Sequence, residues 1–306
     1  MESLTCKSQH RNGANPAEKV PGRQAKGAVM KATDEATRTP KRRANDLDGG
    51  AWTRNSISIW SNLRKTPDEV ALHHPAMFPQ ALAARLIECF TTTEDRIVLD
   101  PFAGVGTTPI AAQLSGKHGV GIELEPRFAE IAKARPTTDE LWDAGEAGTR
   151  EIHTDDARNM LKYVKEGSVD LVVTSPPYWD ILLQRRTADY KAVRHYGEEV
   201  ADLGKIADYE EFIEALGQIF DVVLRAMRPG AYCCVVVMDI RKQDRFYPFH
   251  SDLAARLVRS GFIYDDLIIW DRRHEYNNLR PLGYPHVFRV NKAHEFIVIF
   301  RKPRAE

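Results

Sequence analysis

Apolar runs alternate with amphipathic segments from about residue 97 to residue 300, and this alternation constrains the fold more than any other feature. The apolar runs are short enough for strands, and the segments between them show helical spacing. The predicted strands are 97–99, 119–122, 151–153, 169–173, 231–238, 263–270 and 295–300, and the predicted helices are 78–90, 107–114, 126–134, 209–227 and 251–260. This pattern predicts a doubly wound α/β sheet, mainly parallel, that binds ligands at the carboxyl ends of its strands. Spacing leaves open whether one of the last strands is antiparallel.

Residues 1–50 differ in composition from the rest of the chain. They contain 10 Lys and Arg against 6 Asp and Glu, few large apolar residues and no clear periodicity. Such a segment cannot bury enough apolar surface to fold, so we predict a disordered, mildly basic tail over residues 1–50. Residues 51–306 are then expected to form a single folded domain.

Charge and cysteine content exclude several classes of protein. Lys plus Arg and Asp plus Glu both number 43, so any binding to a nucleic acid would depend on a local basic surface. The cysteines form no Cys-x-x-Cys pair, which argues against a metal site and for a reducing, intracellular setting. No apolar run is long enough to span a membrane, and the first residues lack the apolar core of a signal peptide.

A glycine-rich loop follows the first predicted strand. From Ile97 to Thr108 the sequence is IVLDPFAGVGTT, which predicts a strand, a tight turn and the start of a helix. Glycine lets the backbone approach a ligand closely, and the first turn of a helix favours polar or anionic groups. The loop lacks the Gly-Lys-Ser/Thr of a P-loop, and Pro109 occupies the third glycine position of a dinucleotide fingerprint. The ligand is therefore predicted to be of another kind.

A second informative segment lies directly after the strand predicted over 169–173. Its sequence from Thr174 to Trp179 is TSPPYW. The two prolines fix φ and have no N–H group, so nearby carbonyl groups stay free to accept hydrogen bonds. The hydroxyl of Ser175 adds an acceptor, and the ring of Tyr178 offers a stacking face. This rigid segment suits a planar base that carries an exocyclic amino group.

Together, the DPFAGVGTT segment that starts at Asp100 and the TSPPYW segment resemble the amino-methyltransferases of DNA. The resemblance covers about residues 60–302 and implies a Rossmann-like sheet that binds S-adenosylmethionine and methylates an exocyclic nitrogen of a base. Ser before Pro-Pro-Tyr is similar to the cytosine-N4 branch, whereas the adenine-N6 branch more often has Asp or Asn there. The glycine loop precedes the Pro-Pro-Tyr segment, an order that departs from many relatives with Ser-Pro-Pro-Tyr.

The resemblance also implies which residues bind the cofactor. Glu123, at the end of the next strand, would accept hydrogen bonds from ribose hydroxyls, and Glu125 is the alternative candidate for this role. Asp156, rather than Asp155, would contact the adenine amino group, unless it caps a helix. Residues 74–79 resemble a segment that covers the methionine end of the cofactor, unless the first proline only starts a helix. The predicted set is Asp100, Pro101, Phe102, Ala103, Gly104, Gly106, Thr107, Glu123, Asp156, Pro75 and Phe78.

The predicted chemistry addresses the weak nucleophilicity of an exocyclic amine, whose lone pair delocalises into the ring. Hydrogen bonds from the amino group to Ser175 Oγ and to the carbonyl of Pro176 would turn the lone pair toward the methyl group, and alignment would supply most of the acceleration. Tyr178 would stack on the extruded base, with Trp179 as a wall of the pocket. Asp180 would assist proton loss or cap the next segment. The predicted catalytic residues are Ser175, Pro176, Pro177 and Tyr178.

Two polar segments are candidates for contact with DNA. Residues 180–208 interleave Arg and Lys with Tyr, which suits phosphate contact and stacking. Residues 271–292 contain Arg and Asn, which read base edges through paired hydrogen bonds. The predicted substrate-binding residues are Trp179, Arg185, Arg186, Arg272 and Asn277. The alternative for both segments is an ordinary solvated loop.

The sequence thus predicts a site-specific DNA methyltransferase that acts on the N4 amino group of cytosine. The alternatives are an adenine-N6 enzyme, an RNA base methyltransferase and a non-catalytic nucleic-acid-binding protein. The expected partners are S-adenosylmethionine, DNA and, in a restriction–modification system, a cognate endonuclease. We expect no metal ion, no membrane and an intracellular location.

Overall fold

The computed structural model describes residues 42–72, 74, 77–136, 148–179, 203–275 and 281–304. The chain divides into two units, Met1–Arg42 and Arg43–Glu306, and nearly all of the described residues belong to the second. Helix α1 (Gly49–Asn55) lies in the second unit, and the carboxylate of Asp48 caps it by accepting a hydrogen bond from its first turn. The second unit therefore begins before residue 51, the boundary predicted from composition.

One mixed sheet of eight strands forms the centre of the larger unit. The strands of this unit are β1 (Ile59–Trp60), β2 (Ile97–Asp100), β3 (His118–Glu123), β4 (Thr149–Thr154), β5 (Val169–Thr174), β6 (Met227–Val237), β7 (Ile240–Lys242), β8 (Arg245–Tyr247), β9 (Ile263–Asp271) and β10 (His294–Arg301). The order in the sheet is β1-β9-β10-β6-β5-β2-β3-β4, and β7 and β8 form a separate hairpin. Neighbours in the sheet are parallel, except that β10 is antiparallel to both β6 and β9.

Helices cover both faces of the sheet. After α1 they are α2 (Pro67–Ala71), α3 (Gln80–Phe90), α4 (Thr107–Leu114), α5 (Pro126–Ala134), α6 (Tyr209–Ala226) and α7 (Phe249–Arg259). Strand β6 shows the alternation: Cys233 and Val235 pack in the core that contains α6 and α7, whereas Cys234 and Val236 pack in the core that contains α3. The predicted doubly wound α/β sheet is confirmed, and its antiparallel strand is β10.

Most of the predicted boundaries agree with the structure to within a few residues. Helix α3 begins at Gln80 rather than at residue 78, because Pro79 before it has an extended backbone. Strand β6 begins at Met227, directly where α6 ends, rather than at residue 231. The elements α1, β1 and α2 and the β7–β8 hairpin were not predicted, because such short segments show no clear periodicity.

The direction of β10 brings its first residues to the edge of the sheet where the parallel strands end. Phe296 lies opposite Val237, the last residue of β6. A side chain at the start of β10 therefore stands beside the carboxyl ends of β5 and β6, where ligands of doubly wound sheets bind.

Within the described ranges, no helix is long and apolar enough to cross a membrane. In the same part of the chain, no group of three or more His, Cys, Asp or Glu side chains could hold a metal ion. Cys89, Cys233 and Cys234 are free thiols, and burial raises the pKa of all three. These cysteines therefore act as small apolar residues of the core.

Candidate active site

The two segments that the sequence singled out lie side by side. Strand β2 leads into the glycine loop and β5 leads into the Ser-Pro-Pro-Tyr segment, and these strands are direct neighbours in the sheet, with Leu99 opposite Val172. Both segments leave the sheet at the edge where β3 ends and β10 begins. We call this the site edge.

A hydrogen bond joins the two segments. Thr174, the last residue of β5, donates its hydroxyl to Asp100 Oδ1 over 2.6 Å. The backbone N–H of Phe102 donates to the same oxygen over 3.0 Å. Asp100 is 2% exposed, and burial raises the pKa of its carboxyl to about 6 despite these donors. Asp100 thus holds the glycine loop against the end of β5, and its predicted contact with the cofactor stays a prediction.

The glycine loop depends on two left-handed residues. Gly104 has a φ of 53° and Gly106 a φ of 80°, a region that side chains rarely adopt. The N–H of Gly106 donates to the carbonyl of Ala103 over 2.8 Å and closes the turn. A Cβ at Gly106 would lie 2.9 Å from the Cβ of Ala132, so glycine also lets α5 pack closely. Helix α4 starts at Thr107 as predicted, with no side chain capping it.

Glu123, at the end of β3, supports the loop. Its carboxylate accepts hydrogen bonds from the backbone N–H of Gly104 over 2.7 Å and from that of Glu125 over 2.9 Å. Glu123 is 8% exposed, and burial raises the pKa of its carboxyl to about 7, with the charge of Asp100 acting in the same direction. Each carboxylate oxygen has a further lone pair. These bonds therefore leave Glu123 able to accept from the predicted ribose hydroxyls.

The segment before α3 covers the glycine loop. The imidazole of His74 stands over Gly104, where an added Cβ would lie 3.1 Å from its Nε2, and it packs edge-on against Phe128 at 4.5 Å. Burial lowers the pKa of His74 to about 3, which keeps the ring neutral. Met77 packs against a valine of the loop. Phe78, predicted to touch the cofactor, is buried in the core around α3, and its role stays a prediction.

Tyr178 ties the Ser-Pro-Pro-Tyr segment to the sheet. Its Oη lies 3.1 Å from Ser175 Oγ, 2.9 Å from Glu295 Oε2 and 3.3 Å from the carbonyl oxygen of Val236. Burial and then the charge of Glu295 raise the pKa of Tyr178 well above its usual value, so the phenol keeps its proton. Pro176 is buried, and the next proline is half-buried. These contacts hold the segment against β6 and β10, and the rigidity expected from its prolines stays a prediction.

Glu295 is a site residue that sequence reasoning missed. It is the second residue of β10 and is 6% exposed, and it reaches the site edge because β10 runs antiparallel. The guanidinium of Arg272 pairs with both Glu295 and Glu275 and lies over the ring of Trp270 at 4.8 Å. Arg272, predicted to read bases, is thus bound to this acidic pair. The signal in the sequence that could have pointed to Glu295 is an acidic residue at the start of an otherwise apolar strand.

Trp179 is an anchor in the core. It is 5% exposed, its indole N–H donates to the carbonyl of Ile206 over 2.8 Å, and its ring packs against Tyr209 and Tyr247 at 5.2 and 5.1 Å. Its φ of 51° is rare for a residue other than glycine. Such strain persists only where the surroundings enforce it. The predicted contact of Trp179 with a base stays a prediction.

Asp156 caps the 3-10 helix Ala157–Lys162, which is the alternative that the sequence left open. Its carboxylate accepts a hydrogen bond from the N–H of Arg158 over 2.8 Å and pairs with the guanidinium of the same residue. Asp155 accepts hydrogen bonds from Asn159, Tyr163 and Lys162. These donors hold the pKa of the Asp155 carboxyl well below its usual value. The contact of Asp156 with adenine stays a prediction.

Several predicted residues lie outside the described part of the chain. They are Pro75, Asp180, Arg185, Arg186 and Asn277. The described parts of the two segments predicted to contact DNA are 203–208, 271–275 and 281–292.

A basic surface that the sequence did not single out stands beside the site edge. The β7–β8 hairpin follows β6 directly, and residues 281–293 lead into β10, so both leave the sheet at this edge. Arg289 donates to the carbonyl of Gln243 over 2.8 Å, and Lys292 donates to the carbonyl of Asp239 over 2.6 Å, which fastens the two together. This hairpin surface contains Arg241, Lys242, Arg245, Arg289 and Lys292 together with the exposed rings of Phe246 and Phe288.

The fold and the site edge are typical of the Rossmann-like methyltransferases that use S-adenosylmethionine. A family model described as DNA methylase, for the N6 and N4 methyltransferases, matches residues 14–134 and 169–306. The match covers more than half of the chain, and the chain belongs to this family. The predictions of the family and of its cofactor are thereby confirmed.

Individual relatives match shorter parts of the chain. The Type II methyltransferase M.HindIII of Haemophilus influenzae is 38% identical over 97 residues, which are 28% of this chain and 31% of the relative. M2.MboI of Moraxella bovis is 44% identical over 84 residues, 28% of each chain. The chain therefore matches less than a third of the length of either relative. TTHA0409 of Thermus thermophilus, solved with S-adenosyl-L-methionine, is 30% identical over 49% of this chain and 54% of that one, with a TM-score of 0.35.

Proposed function

We propose that this chain transfers a methyl group from S-adenosylmethionine to the exocyclic N4 amino group of a cytosine in DNA. The observation that carries the proposal is the 2.6 Å hydrogen bond between Thr174 and Asp100. Because of it, Ser175 follows directly beside the glycine loop, so the methyl donor and the amine would meet at the ends of two neighbouring strands. The Type II methyltransferases among the relatives support DNA as the substrate.

The residues of the glycine loop fit the cofactor. The left-handed conformations of Gly104 and Gly106 let the loop turn tightly at the end of β2, where a Cβ would press against His74 or Ala132. Glu123 ends the strand after the loop, where an acidic residue of a nucleotide-binding sheet accepts from ribose hydroxyls. When bound, S-adenosylmethionine supplies an activated methyl group, and the electron pair of the broken carbon–sulfur bond stays on sulfur.

The acceptor side is built from Ser175 and the proline that follows it. In this proposal Ser175 Oγ and the carbonyl oxygen of Pro176 accept the two amino hydrogens of the base, which turns the nitrogen lone pair outward. The nitrogen gains the methyl group through this lone pair and then releases one of its protons. A hydroxyl and a neutral carbonyl can accept from the amino group of either base. The choice of cytosine over adenine is supported by the segment's resemblance to the cytosine-N4 branch.

The hairpin surface supports a nucleic acid as the partner. Its cations suit phosphate oxygens, and its exposed aromatic rings suit unstacked bases. Phe288 is 94% exposed, and an apolar side chain in that position can fill the space that a flipped base leaves in the helix. The surface adjoins the site edge, so DNA bound there would present a base to Ser175.

Nucleoside mass spectrometry tests the proposal. The purified chain is incubated with unmethylated DNA and methyl-labelled S-adenosylmethionine, and the digested nucleosides are searched for label. We expect labelled N4-methylcytosine from the wild type. Ser175→Ala should abolish most of the label while cofactor affinity stays unchanged. Ser168→Ala is the matched control, since Ser168 precedes the opposite end of β5 and its hydroxyl bonds, among the described residues, only a nearby carbonyl. This variant should label like the wild type.

Each other outcome has a distinct meaning. Labelled N6-methyladenine would show that serine before Pro-Pro-Tyr does not select the base, while the cofactor and site edge would stand. Label on RNA but not on several DNAs would move the substrate to RNA. Equal loss of turnover and cofactor affinity in Ser175→Ala would contradict the role of Ser175 as the acceptor for the amine.

A further inference from the structure

A chain of hydrogen bonds runs from Ser175 into the sheet. Ser175 Oγ lies 3.1 Å from Tyr178 Oη, which lies 2.9 Å from Glu295 Oε2. The far oxygen of Glu295 pairs with Arg272. The sequence separates Tyr178 from Glu295 by 117 positions, so only the sheet brings them together.

The direction of these hydrogen bonds follows from the chemistry of each group. The carboxylate of Glu295, paired with a guanidinium, can only accept. Tyr178 has one hydroxyl hydrogen, which it therefore donates to Glu295, and the burial that keeps its phenol protonated maintains this donor. The phenol oxygen is then left as an acceptor, so the hydroxyl hydrogen of Ser175 points toward Tyr178. The lone pairs of Ser175 Oγ remain for an outside donor.

We propose that Glu295 is a positioning residue that acts through Tyr178 to hold Ser175 as a hydrogen-bond acceptor for the target amine. The inference rests on the proposed function, because an amine substrate is what needs an acceptor. Without this control, the hydroxyl of Ser175 could rotate and direct its own hydrogen at the amino group. That orientation would repel the base hydrogens and leave the nitrogen lone pair in the ring.

The carbonyl of Val236, 3.3 Å from Tyr178 Oη, is a second acceptor for the same hydrogen. A neutral carbonyl at this distance is a weaker acceptor than a carboxylate at 2.9 Å. Glu295 therefore sets the direction of the hydrogen bonds between Ser175, Tyr178 and Glu295, and the carbonyl of Val236 reinforces this direction.

Glu295→Gln reverses this direction with almost no change of shape. Arg272 can only donate, so the amide oxygen of glutamine must face it and the amide NH2 must face Tyr178. The phenol oxygen then accepts from the amide, and its hydrogen is shared between the carbonyl of Val236 and Ser175 Oγ. Ser175 loses its fixed role as acceptor, although every hydrogen-bonding group keeps a partner.

Glu275→Gln is the matched control. Glu275 pairs with the same Arg272 guanidinium, yet Tyr178 has no hydrogen bond with it among the described contacts. This variant makes the same chemical change and removes the same charge from the cluster. If the acidic pair had a merely structural role, kcat would fall in both variants. Under the proposal, kcat falls only in Glu295→Gln.

The experiment measures kcat for DNA methylation and the dissociation constant of S-adenosylmethionine in four variants. They are Glu295→Gln, Glu275→Gln, Tyr178→Phe and the double variant Tyr178→Phe/Glu295→Gln. We expect Glu295→Gln to lower kcat about ten- to hundredfold, the scale of one aligned hydrogen bond in a transition state, without changing cofactor affinity. Glu275→Gln should keep the kcat of the wild type. In the Tyr178→Phe background, Glu295→Gln should lower kcat no further, since the link to Ser175 is already cut.

If the wild type methylates DNA, any one of three results would overturn the inference. They are an unchanged kcat in Glu295→Gln, an equal loss in Glu275→Gln, or an undiminished effect of Glu295→Gln without the Tyr178 hydroxyl. If the wild type labels no base in DNA, the proposed function fails, and so does the role of Glu295 in positioning Ser175 for an amine. The urea midpoints of the same single and double variants then test the hydrogen-bond chain alone: additive shifts contradict it, and non-additive shifts support it.

Discussion

Asp100→Asn should stabilise the protein at neutral and basic pH, although Asp100 lies in the site. The carboxyl is 2% exposed, and burial raises its pKa from 3.8 to about 6. Between these values the folded state holds a proton that the unfolded state has lost. The free energy of unfolding therefore falls as the pH rises through about 6, and the full contribution is present only below 3.8.

The magnitude follows from the size of the shift. A shift from 3.8 to about 6 corresponds to ~3 kcal/mol of lost stability above the folded pKa. About half of this, ~1.4 kcal/mol, is lost between pH 5 and pH 8. Asparagine carries no charge, and its oxygen can still accept from Thr174 and from the N–H of Phe102, while its amide can donate to Thr108, which also bonds the carboxyl. The variant thus removes the pH-dependent cost and keeps the hydrogen bonds.

Urea unfolding of both proteins without cofactor, followed by tryptophan fluorescence at pH 5, 6, 7 and 8, measures this effect. The stability of Asp100→Asn relative to the wild type should increase by ~1.4 kcal/mol from pH 5 to pH 8. A difference that stays constant over this range would refute the reasoning. Thr174→Val is a control of opposite sign: it removes a donor that lowers the pKa of Asp100, so it should cost more stability at pH 8 than at pH 5.

Gly106→Ala should lower the free energy of unfolding by about 1–3 kcal/mol, because its φ is 80° and its Cβ would lie 2.9 Å from that of Ala132. A loss below about 0.5 kcal/mol in urea unfolding would contradict this. Arg228→Ala should lower the free energy of unfolding by about 2–4 kcal/mol, because it leaves two buried or half-buried aspartates without their cation. The control is Arg225→Ala, whose ion pair is exposed, and its free energy of unfolding should stay close to that of the wild type. Arg241→Ala with Arg245→Ala should weaken DNA binding and reduce the slope of log affinity against log salt by about 0.9 for each phosphate that is no longer neutralised. An unchanged slope would exclude these two side chains from the interface.

The fold was predictable because its signals are local. The runs over 97–99, 169–173 and 231–238 are mostly apolar, which is typical of strands covered on both faces. Each falls on a strand of the structure, although β6 begins four residues before its predicted start. The packed residues before 51 were missed, because a short polar segment docked on a core has the composition of a tail. The β7–β8 hairpin was missed for a similar reason, since its strands contain Arg and Lys at a surface.

Within the site, the predictable parts are those that one contiguous segment encodes. The glycine loop and Ser-Pro-Pro-Tyr segment carry their conformations in residues that restrict or release φ, so their positions at strand ends followed from the sequence. Trp179 was predicted as a pocket wall from its place in that segment, whereas the structure also gives its ring partners in α6 and β8. A side chain's surroundings depend on elements that come later in the chain.

The sequence by itself determined the class of fold, the glycine loop and the Ser-Pro-Pro-Tyr segment, because apolar periodicity, glycine and proline act over a few residues. Only the tertiary structure decided that β10 runs antiparallel and delivers Glu295 to Tyr178, 117 positions away. It also decided that Asp100 and Thr174, 74 positions apart, share one hydrogen bond. Such contacts arise from the order and direction of strands, which are set by the packing of the whole core.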